Sequence, residues 1–357
     1  MAELLQLLTP EGERVHDPDY DVDVSGEQLR GLFRDMVLVR RLDTEAHALQ
    51  RHGELGLWPP LLGQEAAQIG AGRALQADDF VFPTYREHGV AWTRGVDPVS
   101  LLGLFRGTTN GGYDPAAHNF ALATIVIGDQ TLHAVGYAMG IQRDAGLDEA
   151  PGSAVISFFG DGASSQGDVN EAFVWAAVND APVVFFCQNN QWAISQPLHR
   201  QTRIPLYRRA EGFGFPGIRV DGNDVLAVLA VTRAALRRAR TGGGPSLIEA
   251  YTYRMGAHTT SDDPTRYRVD TELEQWRLKD PIERVRAYLL RTGAGDVAFT
   301  DEVQAEADEL GARLRQQCRE LPDPPVSAMF DHVYAEPHPL VAAERQWWQE
   351  YLGSEDG

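Results

Sequence analysis

The chain has 357 residues, of which 43% are hydrophobic and 9% aromatic, a composition typical of a globular protein with one large or two modest domains. Its formal net charge of −19 argues against a general affinity for nucleic acid or for anionic membranes, because both attract basic surfaces. No apolar run is long enough to span a membrane. The first residues, MAELLQLLTPEGE, lack the basic start of a signal peptide, so we predict a cytoplasmic protein without nucleic-acid or membrane partners.

The N-terminal part of the chain is predicted to combine an extended arm with helices. Residues 1–25 are acidic, contain prolines and show little periodicity. From Ser25 to Arg51 apolar residues recur at helical spacing, and Ser25 is a suitable N-cap. The small-residue segment GQEAAQIGAGRAL, 63–75, predicts a second helix that can pack closely against its neighbours.

The middle of the chain predicts a strand, a helix and a second strand. SAVISFF (153–159) and APVVFFC (181–187) are continuous apolar runs, typical of strands buried on both faces of a parallel sheet. Between them, apolar residues fall at helical intervals from Gly167 to Asn179. Such a βαβ unit places its two strands parallel with a right-handed crossover. A further helix is predicted over 224–240 and a further strand over 245–254.

These elements predict an α/β fold with a doubly wound, mostly parallel sheet. We divide the chain into an extended N-terminal arm (1–25), an α/β domain (26–275) and a C-terminal helical annex (276–357). The annex begins close to the helical pattern of DPIERVRAYLL and carries no recognisable motif.

The segment FFGDGASSQGD, 158–168, places a carboxylate between two glycines at the end of the first predicted strand. Glycine turns at such positions usually bind phosphate through backbone N–H groups, and Asp161 would repel a phosphate. A divalent cation between Asp161 and the phosphate would resolve this conflict. Taken alone, the GDG sequence would equally fit a tight turn whose aspartate caps a helix.

The end of the second predicted strand supplies further oxygen atoms, in CQNNQWAIS (187–195). Because ligands gather outside the carboxyl ends of strands in doubly wound sheets, we expect Asp161, Asn190 and the carbonyl of Trp192 at one edge. Magnesium prefers a few protein oxygens together with phosphate and water, and calcium is an alternative. Neither strand end supplies His or Cys at the spacing of transition-metal ligands. The backbone of three small residues would approach the phosphate: Gly160, Gly162 and Ala163.

The pairing of GDGASSQGD with QNNQWAIS across one βαβ unit resembles the thiamin diphosphate fingerprint of the 2-oxo acid dehydrogenases. The chain looks like the alpha subunit of their two-chain decarboxylating component. The likeness spans roughly residues 27–340 and includes the blocks RDMVLVRRLD, GQEAAQIG, FPTYREHG, IRVDGND, YRMGAHTTSDDPTRYR and DPIERVRAYL. It implies the thiamin diphosphate-binding fold, with thiamin diphosphate and Mg²⁺ as cofactors. The fingerprint alone also occurs in transketolases and other thiamin enzymes.

The resemblance also implies roles for individual residues. Asp161, Asn190 and the Trp192 carbonyl would bind the magnesium ion. His258 in GAHTTSDD matches an active-site histidine that stabilises charge or passes a proton near the diphosphate, and His118 in GGYDPAAHNF resembles another histidine near the active-site entrance. The remaining cofactor contacts, through side chains or backbone, would come from Tyr85, Arg86, Ile127, Gly160, Gly162, Ala163 and His258 itself.

Two positions depart from the family pattern. Gln188 stands where some branched-chain members have an arginine that reaches the diphosphate, and Pro59 lies where pyruvate-type members have a histidine. The block GAHTTSDDPTRYR is closer to the branched-chain type, so the resemblance favours a 3-methyl-2-oxobutanoate dehydrogenase. A pyruvate- or acetoin-type enzyme is the alternative within the family. A catalytically inactive cofactor-binding subunit is the other alternative, which the intact set of expected ligands disfavours.

The expected partners follow from what the chain lacks. Thiamin catalysis needs a glutamate that protonates the pyrimidine ring, and in two-chain members the beta subunit supplies it. We find no second pyrimidine-type domain in this sequence. The resemblance therefore implies an alpha2-beta2 heterotetramer, a 2-oxo acid substrate and a lipoyl-bearing dihydrolipoyl transacylase that accepts the acyl group.

Overall fold

The computed structural model describes residues 4–146 and 149–354, and its central element is a parallel sheet of five strands in the order β1-β2-β3-β7-β6. A separate antiparallel pair, β4 with β5, follows directly after β3. The strands are β1 (Phe80–Phe82), β2 (Val155–Gly160), β3 (Val183–Asn189), β4 (Trp192–Ala193), β5 (Gln196–Pro197), β6 (Gly217–Asp221) and β7 (Ser246–Tyr251).

Helices cover both faces of this sheet. They are α1 (Gly26–Arg51), α2 (Glu65–Ala74), α3 (His88–Thr93), α4 (Pro98–Arg106), α5 (Pro115–His118), α6 (Asp129–Ala145), α7 (Gly167–Val178), α8 (Arg209–Phe213), α9 (Val225–Arg240), α10 (Asp270–Arg277), α11 (Pro281–Thr292), α12 (Val297–Glu320) and α13 (Pro339–Ser354). Within the described part of the chain, no helix combines the length and the hydropathy that crossing a bilayer requires.

The predicted α/β fold with a doubly wound, mostly parallel sheet is confirmed. Helix α7 connects β2 to β3, and the two strands pair in parallel with Gly160 beside Gln188. Alternate residues of β2 enter different cores, because successive side chains of a strand point to opposite faces. Phe158 packs in the core that includes α2 and α9, whereas Phe159 packs in the core that includes α6 and α7.

The first helix begins as its sequence predicts. The Ser25 side chain accepts a hydrogen bond from the Gln28 backbone N–H, and the Gln28 side chain accepts one from the Ser25 N–H. This capping box satisfies two N–H groups that would otherwise lack a partner at the helix start. The predicted helices over 63–75 and 224–240 are present as α2 and α9.

The segment before α1 is attached firmly to the rest of the chain. Leu5 pairs with Val220 at the outer edge of β6, and Leu7 and Leu8 are completely buried. The N–H groups of Leu7 and Leu8 both donate to one carboxylate oxygen of Asp224, at 2.7 and 2.6 Å. This carboxylate therefore fixes the start of the chain against the sheet.

The C-terminal helices differ in how much they bury. Ile282, Val285 and Leu289 of α11 belong to the core that also contains α1 and α2, and α12 packs along α1. Helix α13 contributes no buried residue. Two of the three helices after residue 280 are thus integral to the packing of the body.

Removal of the Asp224 carboxylate should destabilise the chain. Its second oxygen accepts from the Leu226 and Ala227 N–H groups at the start of α9, so Asp224→Ala would strand several buried donors, each costing about 1–3 kcal/mol. We expect the free energy of unfolding to fall by about 3–5 kcal/mol, measured by urea denaturation. Asp301→Ala, at an exposed position of α12, is the control and should change stability by less than about 0.5 kcal/mol.

Candidate active site

A cleft opens at the carboxyl ends of β2 and β3. Asp161 follows β2 directly, and Asn190 follows β3, which is where adjacent parallel strands are expected to bring ligands together. Of the candidates from the sequence, the cleft is lined by Tyr85, Arg86, Ile127, Gly160, Asp161, Gly162, Ala163, Asn190, Trp192 and His258.

Three oxygen atoms converge in this cleft. The amide oxygen of Asn190 lies 3.3 Å from Asp161 Oδ1 and 3.2 Å from the Trp192 carbonyl oxygen. Adjacent ligands of a magnesium ion with bonds of about 2.1 Å and octahedral geometry are about 3 Å apart. The spacing of these oxygens therefore suits a shared magnesium ion.

The orientation of the Asn190 amide bears on this geometry. If the amide were turned over, its nitrogen could donate to both Asp161 and the Trp192 carbonyl. In the observed orientation the amide nitrogen donates to Gln64 Oε1 at 3.1 Å, and the amide oxygen accepts from the Trp192 N–H at 3.3 Å. Both amide atoms thus already have partners with the oxygen facing the cleft, and a cation would relieve the close approach of the three acceptors.

The charge at this position is almost entirely removed from water. Asp161 is only 1% exposed, and this burial raises its pKa to about 6, although Gln201 Nε2 donates to it at 2.7 Å. A buried carboxylate without a cation is costly. Among the described residues no group of three or more His, Cys, Asp or Glu could hold a metal, so a metal here would depend on the neutral oxygens of Asn190 and Trp192.

The turn after β2 brings backbone close to the same space. Residues Gly162–Ser165 form a short 3₁₀ turn before α7. A Cβ atom at Gly162 would lie 2.7 Å from the Ala193 Cβ, so only glycine fits between this turn and β4. The close approach leaves the backbone of the turn lining the cleft, as a phosphate-binding loop requires.

The opposite wall carries Arg86 and His258. Arg86 is 5% exposed; its Nη1 donates to Pro60 O at 2.6 Å and its Nη2 donates to His258 O at 2.9 Å. His258 Nδ1 lies 3.3 Å from Arg86 Nη2 and 3.4 Å from Arg254 Nη1. Because both arginines can only donate, Nδ1 is assigned as an acceptor, and the proton of the neutral ring is then on Nε2.

The same surroundings keep His258 uncharged. Burial and the positive charges of Arg86 and Arg254 lower the pKa of His258 to about 3, and the nearby Asp262 carboxylate opposes this only partly. The Tyr85 ring meets the His258 ring edge-on at 6.1 Å between centroids. The imidazole is thus held between an aromatic ring and two cations.

His118 does not lie in this cleft. It ends the short helix α5, its Nδ1 is 3.1 Å from the Arg94 carbonyl oxygen, and its own carbonyl accepts from Arg94 Nε at 2.9 Å. The structure therefore brings the other candidate residues together and leaves His118 apart from them.

Gln188, which stands where some branched-chain family members have an arginine, also lines the cleft. Its Nε2 donates to Glu87 Oε1, and its Oε1 accepts from Gln68 Nε2 at 3.1 Å. Burial raises the pKa of Glu87, and the neutral Gln188 gives this carboxylate a hydrogen bond without a charge. Pro59 is not among the residues that line the cleft; its carbonyl oxygen lies 3.2 Å from His88 Nε2.

Residues that line the cleft, or that bond to residues lining it, were missed by the sequence analysis. Gln64 Nε2 and Gln130 Oε1 are buried without a hydrogen-bond partner, and both residues line the cleft. Arg254 donates to the Trp192 carbonyl at 3.1 Å and to the Ile194 carbonyl at 2.8 Å. Gln64 and Arg254 lie in the blocks GQEAAQIG and YRMGAHTTSDDPTRYR, whose resemblance to the family was the only sign in the sequence of their importance. A polar residue within such a block does not by itself predict which groups its side chain contacts.

The sequence resembles known proteins over most of its length. Residues 33–327 match the family described as Dehydrogenase E1 component. The chain is 48% identical over 355 residues to the 3-methyl-2-oxobutanoate dehydrogenase subunit alpha of Mycobacterium tuberculosis, covering 99% of this chain and 95% of that protein. It is 36% identical over 351 residues to a pyruvate dehydrogenase E1 component subunit alpha of Staphylococcus epidermidis (98% and 93% covered) and 39% identical over 310 residues to that of Staphylococcus aureus (86% and 82%).

His258 should remain neutral in solution well below the ordinary histidine pKa. An unperturbed imidazole is about 90% protonated at pH 5.5, whereas a pKa of about 3 leaves His258 uncharged from pH 8 down to pH 5. The measurement is an NMR titration of the histidine-labelled chain, with His258→Asn identifying the signal. A signal that moves with a midpoint near 6.5 would contradict the described packing of Arg86 and Arg254.

Proposed function

The chain belongs to the dehydrogenase E1 component family, and from this we propose that it is the alpha subunit of a branched-chain 2-oxo acid dehydrogenase. We infer that it binds thiamin diphosphate through Mg²⁺ and takes part in the oxidative decarboxylation of 3-methyl-2-oxobutanoate or a close homologue. The single observation that carries the proposal is the convergence of the Asp161, Asn190 and Trp192 oxygens beside a glycine turn.

The residues present fit both cofactors. Asp161, Asn190 and the Trp192 carbonyl would hold Mg²⁺, and the backbone of 160–163 would contact the diphosphate. Arg86 and the Tyr85 hydroxyl face the same cleft and suit phosphate oxygens, because a guanidinium offers a planar set of donors. Ile127, 42% exposed, offers an apolar surface to the organic part of the cofactor.

When bound, thiamin diphosphate would supply a carbon nucleophile and an electron sink for the decarboxylation of a 2-oxo acid. In the net reaction the 2-oxo acid loses CO₂ and its acyl group passes to a lipoyl disulfide. The S–S bond opens, one sulfur takes the acyl group and the other becomes a thiol, so the disulfide is reduced as the acyl carbon is oxidised.

His258 is proposed to act as a neutral hydrogen-bond donor near the reacting atoms. With Nδ1 facing Arg86 and Arg254, its proton is on Nε2. A neutral Nε2–H can stabilise developing negative charge by donating a hydrogen bond to it. His118 is not among the residues that line the cleft. We therefore propose for it only the role that the resemblance implies, at the entrance of the active site.

A second chain is needed to complete the site. The only carboxylates that line the cleft among the described residues are Asp161 and Glu87. Asp161 faces the proposed metal, and Glu87 accepts from Thr84 and Gln188, so neither is free to protonate a pyrimidine. We propose that a beta subunit provides this group in a cytoplasmic alpha2-beta2 heterotetramer, and that a lipoyl-bearing dihydrolipoyl transacylase accepts the acyl group.

Asp161→Asn should separate cofactor binding from stability. Burial raises the pKa of Asp161 from 3.8 to about 6, so ionisation costs the cation-free folded chain stability once the pH exceeds the unfolded pKa. At pH 7.5 and without cofactor, the variant should therefore melt at the same or a higher temperature than the parent chain.

The same variant should lose the response to cofactor. Binding of thiamin diphosphate with Mg²⁺, measured by calorimetry, should weaken by about 100-fold or more, because changes outside the ligand shell alone can cost 10- to 100-fold. Asp168→Asn in the first turn of α7, which does not line the cleft, is the control. Full affinity in Asp161→Asn would overturn the ligand assignment.

Substrate preference tests the assignment within the family. With a beta subunit present, CO₂ release from 3-methyl-2-oxobutanoate should show a kcat/KM at least about ten-fold above that for pyruvate, since each methylene in a fitted pocket changes selectivity by about 10- to 200-fold. A preference for pyruvate would favour the pyruvate-type alternative. Cofactor binding without turnover of either acid would favour an inactive subunit.

A further inference from the structure

Every backbone carbonyl of the segment from Trp58 to Gly63, WPPLLG, has a hydrogen-bond partner although the segment lies outside the named helices and strands. Three partners come from nearby groups of the body: His88 Nε2 lies 3.2 Å from Pro59 O, Arg86 Nη1 is 2.6 Å from Pro60 O, and the Gln64 N–H is 2.9 Å from Leu61 O. We call residues 58–63 the support segment.

The other three partners all come from residues 252–260, the segment that carries His258. The Thr252 hydroxyl lies 2.8 Å from Gly63 O, the Met255 N–H donates to Leu62 O at 3.1 Å, and the Thr260 N–H donates to Trp58 O at 2.9 Å. In return, the Trp58 N–H donates to Thr260 Oγ1 at 3.0 Å. Residues 252–260 are thus attached to both ends of the support segment.

The support segment is itself rigid. Pro59 and Pro60 have fixed φ angles. Trp58 is completely buried, its ring stacks on His88 at 4.1 Å between centroids, and its Nε1 donates to Asp43 at 2.8 Å. Gly63 has a φ of +93°, and a Cβ there would lie 2.5 Å from the Tyr253 carbonyl oxygen. The close contact between the support segment and residues 252–260 therefore requires glycine at this position.

Arg86 joins this support to the active site. One of its terminal nitrogens donates to Pro60 O and the other to His258 O. The same guanidinium therefore contacts the support segment and residues 256–262, which we call the His258 loop. Thr260 follows His258 by two residues and is 9% exposed. The loop is therefore held on one side of His258 by Arg86 and on the other by the Trp58–Thr260 pair.

We propose that the support segment positions the His258 loop for cofactor binding, and that Thr260 is a positioning residue acting through Trp58. This rests on the proposed function for the role of His258. The carbonyl of Pro59 contributes to this support through its contact with His88, and Pro59 does not line the cleft.

Thr260→Val tests this contact, because it keeps the shape of the side chain and removes the acceptor of the buried Trp58 N–H. A buried donor that loses its acceptor weakens the attachment of residues 252–260 to Trp58. In the chain assembled with a beta subunit and without cofactor, we expect amide hydrogen exchange over residues 256–262 to become about ten-fold faster. Thr260→Ser, which restores the hydroxyl, should return exchange to within about two-fold of the parent.

Cofactor binding should change in a characteristic way. If the loop closes less often, the apparent Kd for thiamin diphosphate with Mg²⁺ rises in proportion, by about 5- to 10-fold. At saturating cofactor, kcat should stay within about two-fold, because the bound cofactor itself holds the loop closed. A loss confined to overall stability would not produce this split between Kd and kcat.

Thr265→Val is the matched control, because the Thr265 hydroxyl donates to Asp263 just after the His258 loop and is exposed; it should leave exchange over 256–262 and the Kd unchanged. Unchanged exchange and Kd in Thr260→Val would overturn the proposal. If Thr260→Val does not assemble, Thr260→Ala removes the same acceptor with less bulk. A parent chain that binds no cofactor would instead refute the proposed function, while the exchange comparison would still test the support segment.

Discussion

The close approach of three oxygen acceptors at the ends of β2 and β3 is the constraint on which the site depends. Asp161 is buried and negative, and Asn190 and the Trp192 carbonyl offer it only further oxygen on the cleft side. Buried charge needs a compensating partner, and here Gln201 Nε2 donates to Asp161 at 2.7 Å and Arg254 Nη1 donates to the Trp192 carbonyl at 3.1 Å. The hydrophobic cores on both faces of the sheet hold the two strand ends in register and so fix the spacing of the oxygens.

The side of the cleft that carries Asp161 and Asn190, which is the proposed metal side, could be predicted from the sequence because regular structure determines it. Two apolar runs with one helix between them leave little choice of topology, since parallel strands with a right-handed crossover put both carboxyl ends at the same edge. Asp161 and Asn190 meet for that reason alone. The identity of the third oxygen as a backbone carbonyl follows from local spacing, and the structure places it 3.2 Å from the Asn190 amide oxygen.

The other side of the cleft could not be predicted in this way. Arg86 and His258 are 172 residues apart and lie outside the βαβ unit, so only the resemblance pointed to them. The contacts of Arg254 with the carbonyls of Trp192 and Ile194 depend on the path of a loop, which hydrophobic periodicity does not describe. For His118 the local resemblance in sequence predicted a place near the active site, but this residue does not line the cleft. The burial of Leu7 and Leu8 was also invisible, since acidic, aperiodic sequence gave no sign of the Asp224 anchor.

These two sides are built on different physical grounds, and this difference bears on how the site can assemble. The metal side is held by the hydrophobic cores of the sheet and has its geometry before any ligand arrives. The His258 side is held by hydrogen bonds to residues 58–63 and by Arg86, whose donors now serve backbone carbonyls. A diphosphate that competes for those donors would replace the backbone carbonyls with charged oxygens as the acceptors of Arg86. A hydrogen bond from a guanidinium to a charged oxygen is stronger than one to a carbonyl. The loop must then retain its position through the Trp58–Thr260 contacts, so cofactor binding and loop order become linked through one guanidinium.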